Sequence, residues 1–396
     1  MALWGVTAIG LFVGYRPPKR HTRLDHLSFL QKLGRLDLPG SGLLTTGLTF
    51  LLTGLNLGGG IFTWASAPVL ATLVIGIVIL IAFGVYEWKF TKTGILHHDL
   101  FRGGKDRGRT FAICVGLIFI EGILLFAYVI FYPTLQVPPL SILQFLQITN
   151  SSNRTTSLFE QDPFLLVARG QPFWIACGLS TVLYGYVSTK LRTIRLPLFA
   201  GFLFFTAGMI GLATIQPNDS TSAIAFAGLA GLGMGGPLVL VIAGVQLSTP
   251  HHLIATATAV TTSARAVSAT VFTAIYGATL TTRLDKDIPS YVAEAALHAG
   301  LPKSSLGAFI KALAGNDAAA LPSVPGVTPT IIKAGVVALK QAFADGIRAV
   351  YMIAAPFGAL ACIACFFLGD LKTTMNYHVD APVEDLHAKH HQGGEA

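Results

Sequence analysis

The chain has 396 residues, of which 53% are hydrophobic and only 12% are charged. A soluble domain usually carries about 25% charged residues, so this composition excludes an ordinary soluble enzyme and a disordered chain. Lys and Arg number 27 against 19 Asp and Glu, a net charge of +8, and they fall between apolar runs, where they set membrane orientation and do not indicate nucleic-acid binding.

Eight apolar runs are long enough to cross the hydrocarbon core of a bilayer, which takes about 20 residues of helix. The predicted spans are Leu38–Gly60, Ala67–Tyr86, Phe111–Tyr132, Phe173–Thr189, Leu196–Ile215, Ser222–Leu247, Leu253–Thr281 and Arg348–Gly369. A shorter run, Ala2–Tyr15, lacks the preceding Lys or Arg of a signal peptide and is interpreted as the end of a helix. The predicted fold class is therefore an all-α polytopic membrane protein.

Basic residues alternate between the segments that join these spans. The loops before the first span, between the second and third, and between the fourth and fifth hold 15 Lys and Arg in total. The intervening segments hold only two, Arg154 and Arg169. The positive-inside rule therefore places the three basic loops in the cytoplasm.

This orientation predicts the organisation of the whole chain. The predicted segments are a partial helix at 1–15, cytoplasmic loops at 16–36 and 89–110, a helix pair at 37–88, a six-helix bundle at 111–370, and a cytoplasmic tail at 371–396. Within the bundle, residues 282–347 form an extracellular segment with helical patches at Ser290–Ala299, Ser305–Ala314 and Thr330–Ala344. Asn150, Asn153 and Asn218 begin glycosylation motifs in segments predicted to lie outside, although ordinary polar turns carry the same motif.

Two ionisable residues lie deep within predicted spans, where each is a functional candidate by default. Glu121 lies in the middle of Phe111–Tyr132 and is predicted to carry protons; the alternative is a neutral or paired packing residue. Arg265 cannot release its proton and needs water, an acid or an anionic ligand as a partner. Glu121 is the only deep acid in the chain, and we predict that Arg265 faces an aqueous cavity.

Three polar or aromatic residues are weaker candidates for a proton or substrate pathway. Thr262 belongs to a hydroxyl-rich span, although hydroxyls in lipid also bond back to their own helix. Gln246 lies near the cytoplasmic end of its span. Tyr128 ends its span with Phe131 and Tyr132, where the pattern predicts either an interfacial aromatic belt or the wall of a binding cavity.

The sequence contains no Ser–His–Asp arrangement, P-loop or metal-ligand cluster, so we predict neither an enzyme nor a cofactor or metal site. The expected partners are the lipid bilayer, a small apolar molecule and protons.

Several motifs resemble a known transporter family. Leu36-Asp37-Leu-Pro-Gly40 and Gly58-Gly59-Gly60-Ile-Phe-Thr-Trp64-Ala-Ser66 resemble the helix pair inserted between the halves of fourteen-span drug:proton antiporters of the major facilitator superfamily. The loop from Gly185 to Arg195 resembles the superfamily's cytoplasmic motif G-x-L-x-D-R-x-G-R-R, with Gly185 and Lys190 matching. Thr189 replaces the acid and Arg192 the glycine, so a charge relay through this loop is doubtful, while the basic turn made by Lys190, Arg192 and Arg195 remains.

The C-terminal region is similar to fungal trichothecene-efflux-pump-like facilitators. The similarity lies in Val324-Pro-Gly-Val-Thr-Pro329, Arg348-Ala-Val-Tyr351, Ala355-Pro356-Phe357, Phe366-Phe-Leu-Gly-Asp370 and Met375-Asn-Tyr-His-Val-Asp-Ala-Pro382. This resemblance implies a partial major facilitator fold in which residues 1–15 are the remnant of the sixth helix and the N-terminal half is missing. It also implies a plasma-membrane protein.

The resemblance implies proton-coupled efflux of small apolar toxins or drugs, with substrate bound between two helical bundles near the bilayer midplane. Two alternatives stay open from the sequence. Siderophore–iron transporters share the same plan of helices, and a truncated chain with half a cavity is a non-transporting membrane protein.

Overall fold

The computed structural model describes residues 2–14, 28, 37–58, 62–91, 94–95, 97–102, 104–136, 163–217, 219–250, 253–314, 321–372 and 374–375. Contacts divide the chain into two units. The smaller unit, from residues 1–38 and 377–396, contains helix α1 (Ala2–Gly14), whose apolar side chains such as Phe12 are exposed. The larger unit, residues 39–376, contains the remaining helices and every residue discussed below.

Helices make up the regular structure of the larger unit within the described ranges. They are α2 (Leu38–Leu57), α3 (Ala67–Lys89), α4 (Asp99–Arg102), α5 (Gly104–Gln136), α6 (Pro163–Leu191), α7 (Arg195–Ala213), α8 (Ser220–Ser248), α9 (Ile254–His298), α10 (Leu306–Ala314) and α11 (Pro329–Cys365). Two short 3₁₀ turns, Lys303–Ser305 and Leu321–Ser323, flank α10. The predicted all-α fold class is confirmed.

Six of the described helices are long and apolar enough to cross a membrane: α2, α3, α5, α7, α8 and α11. The predicted spans Phe173–Thr189 and Leu253–Thr281 also lie within helices, α6 and α9, but these helices are more polar. In α9 part of the polarity comes from hydroxyls that bond to carbonyls one turn back, as Thr258 does to Ile254 at 2.8 Å. Such bonds satisfy the hydroxyl within its own helix and allow it to face lipid.

Helices α5 to α9 and α11 enclose one large apolar core. Its largest fully buried side chains include Phe111, Tyr132, Phe173, Phe202 and Tyr276. Without a hydrophobic driving force between helices in lipid, such a bundle depends on close van der Waals packing.

Small residues bring the helices of this core into backbone contact. Gly201 of α7 and Gly233 of α8 face each other, and a Cβ built on Gly233 would lie 2.7 Å from the Gly201 carbonyl oxygen. On its other side α8 places Gly231 and Gly235 against the backbone of α6. The glycine-rich sequence of α8 is therefore explained by tight packing on two faces.

A second apolar cluster forms a cap around the C-terminal part of α9 and the N-terminal part of α11. Val292 of α9, Phe309 of α10, and Ile331 and Phe343 of α11 are buried in this cap. The predicted patches Ser290–Ala299 and Thr330–Ala344 prove to be continuations of the long helices α9 and α11. α11 begins where Pro329 follows the N-cap Thr328, whose side chain accepts a hydrogen bond from the Ile331 amide.

Polar side chains tie this cap to the bundle. Asp345 lies 3.2 Å from Arg348 and accepts hydrogen bonds from Tyr291 and Gln341. Arg348 Nε also donates to the Ala213 carbonyl at the end of α7, at 2.9 Å. The cap is therefore connected to α7 as well as to its own two long helices.

Candidate functional site

Glu121 and Arg265 form an ion pair in the interior of the bundle. Arg265 Nε of α9 lies 2.7 Å from Glu121 Oε2 of α5. The Glu121 side chain has no exposed surface, whereas 23% of the Arg265 side chain is exposed. Glu121 Oε1 and Arg265 Nη2 are buried and form no hydrogen bond with the part of the chain that the structure describes. The pair therefore retains unused hydrogen-bonding capacity on both partners.

Close approach of α5 and α9 positions this pair. Gly122, which follows Glu121, packs directly against the Ser268 hydroxyl and lies near the Arg265 carbonyl. Ser268 donates its own hydrogen bond to that carbonyl at 2.9 Å. Because Gly122 has no Cβ, the two backbones come close enough for the short reach of a glutamate side chain to meet the guanidinium.

Aromatic rings of α5, α6, α9 and α11 pack against one another within the bundle. Tyr128 stacks between Phe173 and Tyr132, with ring centroids 3.9 Å and 4.7 Å away. Phe272 packs edge-on against Phe119 of α5 and against Phe357 of α11. Tyr128, Phe131 and Tyr132 are buried, so these rings do not form the interfacial belt that the sequence pattern allowed. They pack within the protein.

The Tyr128 hydroxyl is buried and has no hydrogen-bond partner among the described residues, whereas the equally buried Tyr276 donates to the Ile123 carbonyl at 3.2 Å. We expect Tyr128→Phe to stabilise the protein by about 1 kcal/mol, because an unpaired buried hydroxyl is destabilising, and Tyr276→Phe to destabilise it by a similar amount. Thermal unfolding in detergent measures both. A loss of stability in Tyr128→Phe would contradict this prediction.

The other two predicted pathway residues within the described ranges, Thr262 and Gln246, are exposed. Thr262 is exposed on α9 and donates to the Thr258 carbonyl at 2.9 Å, so its hydroxyl is satisfied within its own helix. Gln246 is exposed near the end of α8. The glycosylation candidates Asn150, Asn153 and Asn218 lie outside the described residues.

The cytoplasmic motif loop is a tight turn between α6 and α7. Gly185 lies within α6 with open space where a Cβ would be, and Lys190 is exposed. Arg195 begins α7, and its guanidinium donates a hydrogen bond to the Leu368 carbonyl just after α11. Arg195 therefore ties this turn to the end of α11, a structural role for one of its basic residues.

Arg192 occupies the left-handed backbone region, with φ of 48°. The Thr193 amide donates to the Ser188 carbonyl at 3.2 Å, and the Arg192 amide lies 3.4 Å from the Thr189 carbonyl. This is the Schellman pattern of helix termination, which favours glycine at the position of Arg192. The superfamily motif has its glycine at the same position, so the turn keeps its geometry although the glycine is replaced.

We expect Arg192→Gly to stabilise the protein by about 0.5 to 1 kcal/mol, because it relieves the left-handed conformation of a residue with a Cβ. Gly300 ends α9 in the same pattern, with φ of 94° and no neighbour within 4 Å of a built Cβ. Gly300→Ala is the matched comparison and should destabilise by about 1 kcal/mol. Thermal unfolding of both variants measures these changes; equal effects would contradict the prediction.

The sequence interpretation missed two buried polar residues. Glu87 ends α3 nearly buried, and its Oε1 accepts a hydrogen bond from the Ile95 amide at 3.0 Å. Because Glu87 follows the end of the predicted span at Tyr86, it was not counted among the ionisable residues deep within spans. The Tyr351 hydroxyl is buried without a hydrogen bond among the described residues, and nothing in its apolar sequence context indicated this.

Comparison with known proteins identifies the family. A family model described as "Fungal trichothecene efflux pump (TRI12)" matches residues 3–394. The chain belongs to this family. The family resemblance predicted from the sequence is thereby confirmed, and the family is one of efflux pumps and not of enzymes. Together with the apolar helices, membership of the family establishes an integral, multi-pass membrane protein.

Individual members of the TRI12 family and related transporters are similar over almost the whole chain. A trichothecene efflux pump TRI12 of Fusarium sporotrichioides is 23% identical over 384 residues, covering 96% of this chain and 61% of that protein. The MFS-type transporter prx5 of Penicillium rubens is 25% identical over 372 residues, covering 94% and 64%. The TRI12 pump of Trichoderma arundinaceum is 25% identical over 383 residues, covering 94% and 60%. The chain thus spans about three fifths of the length of these relatives.

Proposed function

We propose that this chain takes part in proton-coupled efflux of small, largely apolar toxins of the trichothecene type. Membership of the trichothecene efflux pump family supports the class of substrate and the outward direction. The ion pair between Glu121 and Arg265 is the observation that supports coupling to protons. In this pair a carboxylate and a guanidinium contact each other in the interior of the bundle, where an acid can take up a proton.

The proposed coupling follows from the charge of the pair. With Glu121 ionised, the pair is neutral and holds α5 against α9. When Glu121 takes up a proton, Arg265 keeps its charge and loses its partner, which disfavours this packing of the two helices. Proton binding therefore shifts the population between two arrangements of the bundle, as a ligand with different affinities for two states does. Substrate would contact the faces of α5 and α9 next to the pair.

We include Tyr128, Gln246 and Thr262 in the proposed pathway, with different degrees of structural support. Tyr128 is the strongest of the three, because its unpaired hydroxyl lies two helical turns from Glu121 on the same helix. Thr262 and Gln246 contribute only if their exposed faces line the substrate route. We also propose the plasma membrane as the site of action, since efflux from the cell requires it.

The proposal is tested by expressing the chain in a trichothecene-sensitive yeast strain and measuring accumulation of a labelled trichothecene. We expect lower accumulation than in cells that express Glu121→Gln. A labelled ferric siderophore serves as the second substrate, and its increased uptake would favour the siderophore alternative, which the named relatives do not support. No change with either substrate would favour a non-transporting membrane protein.

A further inference from the structure

A crevice of about 340 Å³ lies between the turn of the helix pair and α9. It is lined by Leu55, Trp64, Ile275, Ala278, Thr279, Thr282 and Arg283, and we call it the outer crevice. The turn that contains Trp64 and the end of the predicted span at Thr281 are both on the outer side by the charge pattern. The structure brings these two segments together at one site.

The lining of the outer crevice is apolar apart from one charged group. Its two hydroxyls are satisfied internally, because Thr279 donates to the Ile275 carbonyl and Thr282 to the Ala278 carbonyl, each at 2.8 Å. Neither hydroxyl therefore has a free hydrogen to donate to a ligand. Leu55, Ile275 and Ala278 form an apolar wall, and the exposed Trp64 ring adds a side chain that prefers the membrane–water interface.

Arg283 is the charged member of the lining. It is exposed and forms no hydrogen bond or ion pair within the described ranges, although Asp285 and Asp287 follow it closely in sequence. An arginine in the lining of an otherwise apolar crevice is a planar cation suited to bind the phosphate of a lipid headgroup.

Within the described ranges, little of the helix pair is buried. Only 17% of the apolar stretch of α2 and 11% of that of α3 is buried, against 56% for α5. Gly47, Gly54 and Gly76 pack α2 and α3 tightly against each other. The crevice lies between this pair and α9, and phospholipids are the molecules that a membrane supplies to such a crevice at high concentration.

We propose that the outer crevice binds one membrane phospholipid, with its phosphate at Arg283 and its glycerol and first acyl carbons against Leu55, Ile275 and Ala278. The volume is at the low end for a small-molecule site, which suits the upper part of a lipid and not a whole one. The bound lipid fills the gap between the helix pair and the bundle. This inference concerns lipid binding and stands independently of the transported substrate.

Native mass spectrometry of the purified 396-residue chain tests the proposal with three probes: a phosphatidylcholine, the matching diacylglycerol without phosphate, and inorganic phosphate. We expect one retained phosphatidylcholine, and neither of the other two. Equal retention of diacylglycerol would overturn the role of the phosphate, and retention of inorganic phosphate alone would overturn the apolar part of the site.

Substitutions inside and outside the outer crevice test whether the phospholipid binds there. Arg283→Gln should lose the retained phospholipid, whereas Lys286→Gln, which removes an exposed cation on the same helix outside the crevice, should keep it. Ala278→Phe fills the crevice and should also lose the lipid while leaving Arg283 in place. Since Arg283 is exposed, its replacement should not disturb folding, which size-exclusion chromatography verifies. Retention of phospholipid by both Arg283→Gln and Ala278→Phe would overturn the assignment.

Discussion

Replacing Glu121 by glutamine is expected to abolish proton-coupled efflux while leaving membrane insertion intact. Glutamine has nearly the same shape as glutamate, so the variant should still insert into the membrane, but like protonated Glu121 it leaves Arg265 without a charged partner. It has no carboxyl to take up and release a proton. The component of efflux driven by a pH gradient should fall by roughly two orders of magnitude, the usual contribution of a positioned proton donor or acceptor.

The measurement is efflux of a labelled trichothecene from cells at several external pH values, compared with the wild-type chain at equal expression. Asp345→Asn is the matched control, because Asp345 is also paired with an arginine, at 3.2 Å, but lies in the cap. This control should retain pH-dependent efflux. Unchanged pH-dependent efflux in Glu121→Gln would refute the assignment of Glu121 as the proton carrier.

Gly233→Ala is expected to have the largest effect on stability. A Cβ at Gly233 would meet the backbone of Phe205 and lie 2.7 Å from the Gly201 carbonyl, and neither contact belongs to a flexible side chain. Overpacking a well-packed core typically costs 1–3 kcal/mol, and a backbone contact puts this substitution at about 3 kcal/mol. Helices α7 and α8 would have to separate to accommodate it.

Gly228→Ala provides the control on the same helix. A Cβ there has no neighbour within 4 Å, so this variant should gain up to about 1 kcal/mol from the higher helix propensity of alanine. The fraction of protein that remains monodisperse after heating in detergent compares the two variants. Equal heat stability of Gly233→Ala and Gly228→Ala would show that α7 and α8 do not pack as described.

The pairing of Glu121 with Arg265 was accessible from the sequence. An arginine deep in a membrane helix needs a partner, and the chain offers one deep acid, so the cost of an unpaired charge brings the two together. The sequence also predicted that Arg265 faces an aqueous cavity, which stays a prediction. Its side chain is 23% exposed, while its Nε and Nη2 atoms are buried and Glu121 is enclosed.

The lengths of α9 and α11 were not accessible in the same way. The predicted span ended at Thr281 because Arg283, Asp285 and Lys286 follow it. Apolarity reports where the membrane ends and not where hydrogen bonding along the helix ends. α9 continues to His298, because its later turns bury Val292 and Ala296 in the cap, a tertiary contact that a scan for membrane spans does not detect.

Backbone conformation and hydrogen-bond partners also required the structure. Arg192 stands where the motif has glycine, and the sequence predicted that a basic turn remains without indicating its backbone conformation. The turn is retained, with Arg192 in the left-handed region. Tyr128 was expected at an interface or in a cavity wall, because aromatic residues near the end of a span suit both. The distinction depended on its neighbours Phe173 and Tyr132, which come from packing and not from local pattern.

Proton flux in proteoliposomes tests the central claim most directly. The purified chain is reconstituted with a pH-sensitive dye enclosed, and a trichothecene is added outside. Exchange of substrate for protons predicts that the internal pH rises on addition of substrate, in proportion to its concentration, and that Glu121→Gln abolishes the rise. Absence of any substrate-dependent change in internal pH for the wild-type chain, at acidic, neutral and alkaline pH alike, would contradict the account.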